Sequence, residues 1–263
     1  MARLLHRSPL LAIPGLTTLL WGIDLLHTWH LGPMERWCAC VIWLILRSDC
    51  FRIRQNHLVT DNIMQVTMCL LRGRLFAYYK LRRAADPEWS ARASQLWSLT
   101  LKMIGSETDP HMATKANETV HLFDFLVSFM QEFQAELEAY DSTRTKFLIR
   151  SGLEAQKVNT ILSVSGDNIS ATDAKALLDA YTRHVSFFLR AGGLFYPKHH
   201  LMFHLCQRVL AQGNPRRYWT YRDESLNGVV VKLARASHKL RFMETVHDRY
   251  RWLEALDLCC HMF

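Results

Sequence analysis

Apolar residues recur at the spacing of an α-helix through most of the middle of the chain. Residues 114–140 give the clearest example, with a stripe made of Val120, Phe123, Leu126, Val127, Met130, Phe133 and Leu137. A period near 3.6 residues predicts one long amphipathic helix with a buried face. The same pattern occurs in residues 34–47, 62–83, 87–104, 142–163 and 171–189, the last with Ser170 or Thr172 as a candidate N-cap. The sequence therefore predicts a mainly α fold.

Two other regions flank this helical middle. Residues 16–23 are apolar or Thr and stand between Pro14-Gly15 and Asp24, which predicts a short buried strand that ends at Asp24. After Gly192-Gly193, we expect helices over residues 198–211, 223–238 and 242–258, with a loop at residues 213–215.

The composition limits the classes of protein that need to be considered. The 263 residues are 49% hydrophobic, enough for a sizeable core, and carry a net charge of +8, which suits an anionic partner such as nucleic acid. The seven cysteines include no CxxC pair, which argues against a disulfide framework or a zinc ribbon. No apolar stretch reaches the roughly 20 residues that cross a bilayer, so we expect an intracellular, soluble protein without a membrane partner.

The first candidate site is the motif Asp24-Leu-Leu-His27, followed by Leu31-Gly32. A carboxylate that ends a strand is a hard oxygen ligand for Mg²⁺ or Mn²⁺, and a neighbouring histidine can orient it. The alternative is that Asp24 caps a helix and His27 is a core histidine.

The second candidate site follows Pro197 and contains Lys198, His200 and His204. The two histidines are four residues apart and so share one face of a helix. They could hold zinc in a zinc-dependent hydrolase, although no third ligand is near and the HExxH pattern is absent. The alternative is a hydrogen-bonded pair that faces the core or a nucleic-acid backbone.

Further along, acidic and basic residues alternate with aromatic ones. Glu224 would open a helix, where the helix dipole alone explains an acid, and Asn227 lies one turn behind it. Cations and rings that could contact phosphates and bases are Arg216, Arg217, Tyr218, Trp219, Tyr221, Lys232 and Arg235. The same composition also fits rings that are buried in the core beside solvated arginines.

In their order, these motifs resemble the catalytic region of eukaryotic DDE cut-and-paste transposases, in particular the CACTA-type group. In that family an acid is followed by x-x-His and a Leu-Gly pair, as at Asp24, His27 and residues 31–32. The later family pattern is matched by Lys198, His200, His204, Leu205, Gly213, Pro215, Thr220, Glu224 and Asn227.

The resemblance implies an RNase H-like core in which Asp24 is the second metal-binding acid, Glu224 the third, and His27 an additional catalytic residue. Two Mg²⁺ or Mn²⁺ ions would then activate the nucleophile and stabilise the leaving oxygen at a phosphodiester. It also implies DNA as the partner and the nucleus as the location. Residues 1–52 would be a partial RNase H-like segment, residues 53–191 a helical insertion, and residues 192–263 the end of the catalytic region.

One part of the family pattern is missing. Only 23 residues precede Asp24 and none is Asp, so the chain offers no first catalytic acid. We therefore expect a mainly α fold with a few strands of a truncated RNase H-like sheet, in a fragment or decayed copy that is inactive alone. A missing N-terminal segment or another subunit could supply the first acid. The alternative function is a non-catalytic helical module that binds another protein.

Overall fold

The computed structural model describes residues 22–53, 62–89 and 94–221, and a few positions after them (231–233, 235, 244–245, 247–248 and 251). A π-helical segment, Leu26–Met34, comes first. The α-helices of the described ranges are α1 (Glu35–Ser48), α2 (Ile63–Ala85), α3 (Ala116–Glu132), α4 (Gln134–Val164), α5 (Ala171–Arg190) and α6 (Pro197–Gln212). Short 3₁₀ helices occupy Leu101–Met103 and Pro215–Arg217. The chain divides into two compact units, Met1–Tyr218 and Trp219–Phe263.

The predicted mainly α class is confirmed. The described residues contain no sheet, and the predicted remnant of an RNase H-like sheet is not seen among them. Most of the predicted strand at residues 16–23 lies outside the described residues, and residues 22–24 have no regular secondary structure. No described helix is long and apolar enough to cross a membrane.

One predicted helix, over residues 87–104, is wrong for most of its length. Residues 94–100 have no regular secondary structure, and only Leu101–Met103 form a short 3₁₀ turn. Leu96, Leu99 and Ile104 are buried even so. The Leu96 N–H donates to the phenol oxygen of Tyr79 at 3.3 Å, so an amide that a helix would pair internally is paired with α2 instead. Contacts with α2 therefore replace the helix that the apolar spacing predicts.

The predicted helix over residues 114–140 is interrupted. It ends at Phe133, whose φ of −102° and ψ of 23° separate α3 from α4. The Phe133 ring stacks on Phe129 at 4.4 Å and meets Phe51 at 5.7 Å, so the turn is held by aromatic packing. α4 bends again at Asp141, whose carboxylate accepts the N–H of Arg144 at 2.9 Å and so caps the second half of α4.

The predicted cap at Ser170 is confirmed. Its hydroxyl accepts the Asp173 N–H at 3.0 Å, at the first turn of α5. The pattern of a serine followed three residues later by an acid had indicated this helix start.

Trp37 on α1 fixes the centre of the first unit. Its ring is fully buried, and its indole N–H donates to the Leu148 carbonyl on α4 at 3.1 Å. Gly152, one turn further along α4, lets the ring approach: a Cβ atom there would lie 2.6 Å from Trp37 Cζ2. α1 therefore packs directly on the α4 backbone, and a side chain at position 152 would push the two helices apart.

Trp29 ties the π-helical segment to α4 and α5. Its indole N–H donates to Asn159 Oδ1 at 2.7 Å, and its ring meets the rings of Tyr181 and His184 edge-on at 5.8 and 5.3 Å. His184 is fully buried and its Nδ1 lies 2.9 Å from Ser151 Oγ. Burial lowers the pKa of His184 from 6.5 to about 4, so it is neutral at pH 7.

Replacing His184 should make the protein less sensitive to acid. Between pH 6.5 and 4 the unfolded chain binds a proton at His184 and the folded chain does not, so the free energy of unfolding falls as the pH is lowered through this window. In a His184→Gln variant, the free energy of unfolding should therefore fall by about 1.4 kcal/mol less per pH unit than in the wild-type protein. Urea denaturation of both proteins at pH 6.0 and 5.0 measures the difference. Asp124, whose pKa burial raises to about 6, titrates in both proteins and cancels. Equal pH dependence in both would contradict a neutral, buried His184.

Candidate nucleic-acid interface

Asp24 caps the helical segment that follows it. Its Oδ2 accepts the backbone N–H of His27 at 2.9 Å and lies 2.6 Å from Nδ1 of the His27 ring. Its Oδ1 lies 3.4 Å from the Leu26 N–H. Both oxygens are therefore engaged at the first turn, as in an N-cap. The His27 side chain is 54% exposed, so it lies on the surface and not in the core.

The two motifs of the sequence are in contact. The backbone leaves helical geometry at Leu31 and Gly32, and Lys198 Nζ donates to the exposed carbonyl of Leu31. A Cβ atom at Gly32 would lie 3.1 Å from Lys198 Cβ, so the absence of a side chain lets the first turn of α6 approach. Residues about 170 positions apart in the sequence thus form one surface.

Arg216 belongs to the same region. His30, in the π-helical segment, is buried, and burial lowers its pKa to about 3. The charge of Asp24 opposes this shift, and the charge of Arg216 adds to it. His30 therefore lies within electrostatic range of both, which places Arg216 near the first motif.

Asn214 holds the loop that carries Arg216 and Arg217. Its side-chain amide donates to the carbonyls of Leu162, Ser165 and Gly166 at 3.0 to 3.1 Å, at the end of α4. Its Oδ1 accepts the Arg216 N–H at 3.1 Å. Arg217 forms an ion pair with Asp167. The Gly-Asn-Pro loop predicted from the sequence is thus a fixed platform for two arginines.

The histidines of α6 separate into a buried residue and an exposed pair. His199 is buried, its carbonyl accepts the Tyr181 O–H at 2.7 Å, and burial lowers its pKa to about 4. His200 and His204 face each other with their Nε2 atoms 2.9 Å apart, and His204 Nδ1 lies 3.2 Å from Gln207 Oε1. This is a hydrogen-bonded pair on the surface. The described residues contain no group of three or more His, Cys, Asp or Glu that could hold a metal.

The remaining predicted site residues belong to the second unit. Glu224 and Asn227 lie outside the described residues, so their predicted roles stay predictions. Lys232 and Arg235 are helical and exposed. The rings of Trp219 and Tyr221 meet at 4.8 Å, nearly perpendicular to each other.

The sequence shows that the end of α2 is basic, at Lys80, Arg82 and Arg83, but sequence reasoning assigned no binding role to this helix. This helix carries Arg72, Arg74, Lys80, Arg82 and Arg83 and no acid at all. Arg83 lies over the ring of Trp97 at 5.8 Å, and Trp97 is 52% exposed. Arg82 lies over Trp89 at the same distance. The absence of Asp and Glu over 23 residues was visible in the sequence, but the rings reach α2 only through the non-helical segment after it.

Comparisons with protein families, with curated proteins and with solved structures give no match for this chain.

The structure predicts different outcomes for two substitutions at Asp24. Asp24→Ala removes the acceptor of the capping bonds and should lower the free energy of unfolding by about 1 kcal/mol. Asp24→Asn removes the charge but keeps a side-chain oxygen at the cap, so it should change stability by only a few tenths of that amount. Urea denaturation of both variants measures this. Equal losses would show that the charge of Asp24, and not its capping bonds, stabilises the fold.

Proposed function

We propose that this chain is a transposase-derived protein that binds nucleic acid through the surface where its two motifs meet. The contact of Lys198 with Leu31 and Gly32 carries the proposal, because it joins the two segments that the family resemblance pairs.

The charges of this surface suit a polyanion. Lys198 donates to a neutral carbonyl, which orients the ammonium group, and its positive charge also acts on the partly buried carboxylate of Glu35. Arg216, on the Asn214 platform, adds a second cation to the same region. Phosphate contacts from Lys and Arg supply most of the non-specific affinity of proteins for DNA. We propose α2 as a further cationic region for binding, with four cations left after Arg74 pairs with Glu132.

We propose binding, and not phosphoryl transfer, for this chain alone. A two-metal mechanism needs carboxylates that are free to coordinate Mg²⁺ or Mn²⁺. Both oxygens of Asp24 point to the first turn of the helical segment, and Glu224 lies outside the described residues. The described residues therefore do not by themselves form a site that fits these ions, and no catalytic step is proposed through them.

A second candidate is a module that binds another protein. Large apolar side chains are exposed on α6 and in the loop before it, namely Leu194, Phe195, Leu201 and Leu210. Such side chains favour a protein partner over DNA. The salt dependence of binding separates the two proposals, since apolar contacts do not weaken steeply with salt.

Nucleic-acid binding can be tested by fluorescence anisotropy with a labelled DNA duplex between 50 and 200 mM KCl. The affinity should fall steeply with salt. Lys198→Gln should weaken binding and reduce the magnitude of the slope of log K against log [salt] by about 1, the value expected for the loss of one phosphate contact. Lys102→Gln, which removes the same charge from an exposed position outside both motifs, is the matched control and should leave the slope unchanged. No affinity at 50 mM KCl, or equal effects of the two substitutions, would refute the proposed surface.

A further inference from the structure

A small cavity, open to solvent on one side, lies beside α1. Its volume is about 260 Å³, and it is lined by α1, α4, the end of α5 and two loops. The polar and charged residues that line it are Arg36, Cys40, Glu107, Thr108, Arg144 and Tyr196. A cavity of this size is smaller than the roughly 300 to 1,000 Å³ typical of drug-sized ligands, so it suits a small molecule or ion.

The two charged residues that line the cavity besides Arg144 form ion pairs within the protein. Glu107 forms an ion pair with Arg47 at 2.5 Å. Arg36 forms an ion pair with Asp109 at 2.6 Å, and the Arg36 guanidinium also lies 4.0 Å from the centre of the Tyr196 ring. These pairs leave the cavity with the positive charge of Arg144.

Arg144 is the unusual residue of the cavity. It forms no ion pair within the described part of the chain, its guanidinium contacts the Cys40 thiol, and its Nε is buried without a hydrogen-bond partner. A buried N–H of a charged group that lacks an acceptor costs free energy of about 1 to 3 kcal/mol or more. The cavity therefore contains a donor that an external acceptor could satisfy.

The uncharged residues of the cavity leave room for a ligand. Burial raises the pKa of the Cys40 thiol to about 11, so Cys40 carries no negative charge at pH 7 to repel an anion. The Tyr196 hydroxyl already donates to Asp109 Oδ1 at 2.9 Å. Gly192, with φ of 84°, and Gly193 pass over the Phe188 ring, where a Cβ atom at 193 would lie 2.5 Å from a ring carbon. Because neither glycine has a side chain, this part of the lining leaves the cavity empty.

We propose that this cavity is a binding site for a small oxyanion, namely phosphate or the phosphate group of a monoester, with Arg144 as its principal ligand. The planar fork of an arginine matches two oxygens of a phosphate, and Nε belongs to that fork. A bound oxyanion would satisfy the buried donor and balance its charge together. The site is one for binding, because the neutral thiol of Cys40 is not a nucleophile at pH 7.

Thermal unfolding in 0 to about 10 mM potassium phosphate, with pH and ionic strength held constant by potassium chloride, tests the proposal with inorganic phosphate as the probe, because at these low concentrations the exclusion of phosphate from the protein surface has little effect. Phosphate should raise the Tm of the wild-type chain, because a ligand that binds only the folded state stabilises it. Arg144→Gln should abolish this rise. Arg150→Gln, on the same helix but over the ring of Phe187, is the matched control and should keep it. A rise that survives Arg144→Gln, or the absence of any rise in the wild-type chain, would overturn the proposal.

Cysteine labelling gives a second measurement on the unaltered chain, in case Arg144→Gln does not fold. Cys40 lines the cavity, whereas Cys69 is exposed on α2. At pH 8.5, where a small fraction of Cys40 is thiolate, phosphate should slow the reaction of Cys40 with N-ethylmaleimide several-fold and leave the rate at Cys69 unchanged, as read by mass spectrometry of the peptides. An unchanged rate at Cys40 would refute occupation of the cavity.

The source of the phosphate can be distinguished with a dinucleotide. If the ligand is a monoester, a 5′-phosphorylated dinucleotide should protect Cys40 and the same dinucleotide with a 5′-hydroxyl should not. Protection by inorganic phosphate alone would restrict the site to the free ion. Protection by both dinucleotides would show that a phosphodiester or a base enters instead, which would overturn the assignment to a small oxyanion.

Discussion

The close approach of α1 to α4 at Gly152 is the constraint on which the first unit depends. Trp37 can lie against the α4 backbone only because position 152 has no side chain, and its indole N–H then bonds to Leu148. Trp29 makes the equivalent contact further along, through Asn159. Two tryptophans from one end of the sequence therefore fix the same helix at two points, which also fixes the direction of the chain between them and positions the Leu31-Gly32 corner against α6.

The sequence predicts helices well where local signals and burial agree. Ser170 and its acid three residues later mark the start of α5, and the structure confirms that start. The prediction fails where a tertiary contact competes with the helix. Leu96, Leu99 and Ile104 are apolar residues at near-helical spacing and are buried, but residues 94–100 have no regular secondary structure and the Leu96 N–H is paired with Tyr79 on α2. At Phe133 the helix is interrupted although the apolar spacing continues. The stacked rings of Phe129 and Phe133 keep the apolar residues on the same side of the interruption.

The candidate site could also be predicted only in part, because its residues are brought together by tertiary contacts. The order of the motifs pairs Asp24 with Lys198, but only the folded chain shows that Lys198 bonds to the Leu31 carbonyl. The sequence left open whether Asp24 binds a metal or caps a helix, and the structure supplies the capping bonds without testing the metal role of Glu224. His199, His200 and His204 form one cluster in the sequence, but the helix turns His199 into the core and the other two outward.

The excess of eight positive charges has different physical meanings in different places. An exposed cation on α2 is solvated by water, so leaving it without an acid costs little, and its charge shows only that a polyanion would be tolerated there. Arg144 is different, because its Nε is removed from water and has no acceptor. A solvated cation on the surface has little effect on stability wherever it lies. A buried donor without an acceptor lowers the free energy of unfolding unless a ligand binds it. Arg144 is therefore a more specific indication of a ligand than the five cations of α2.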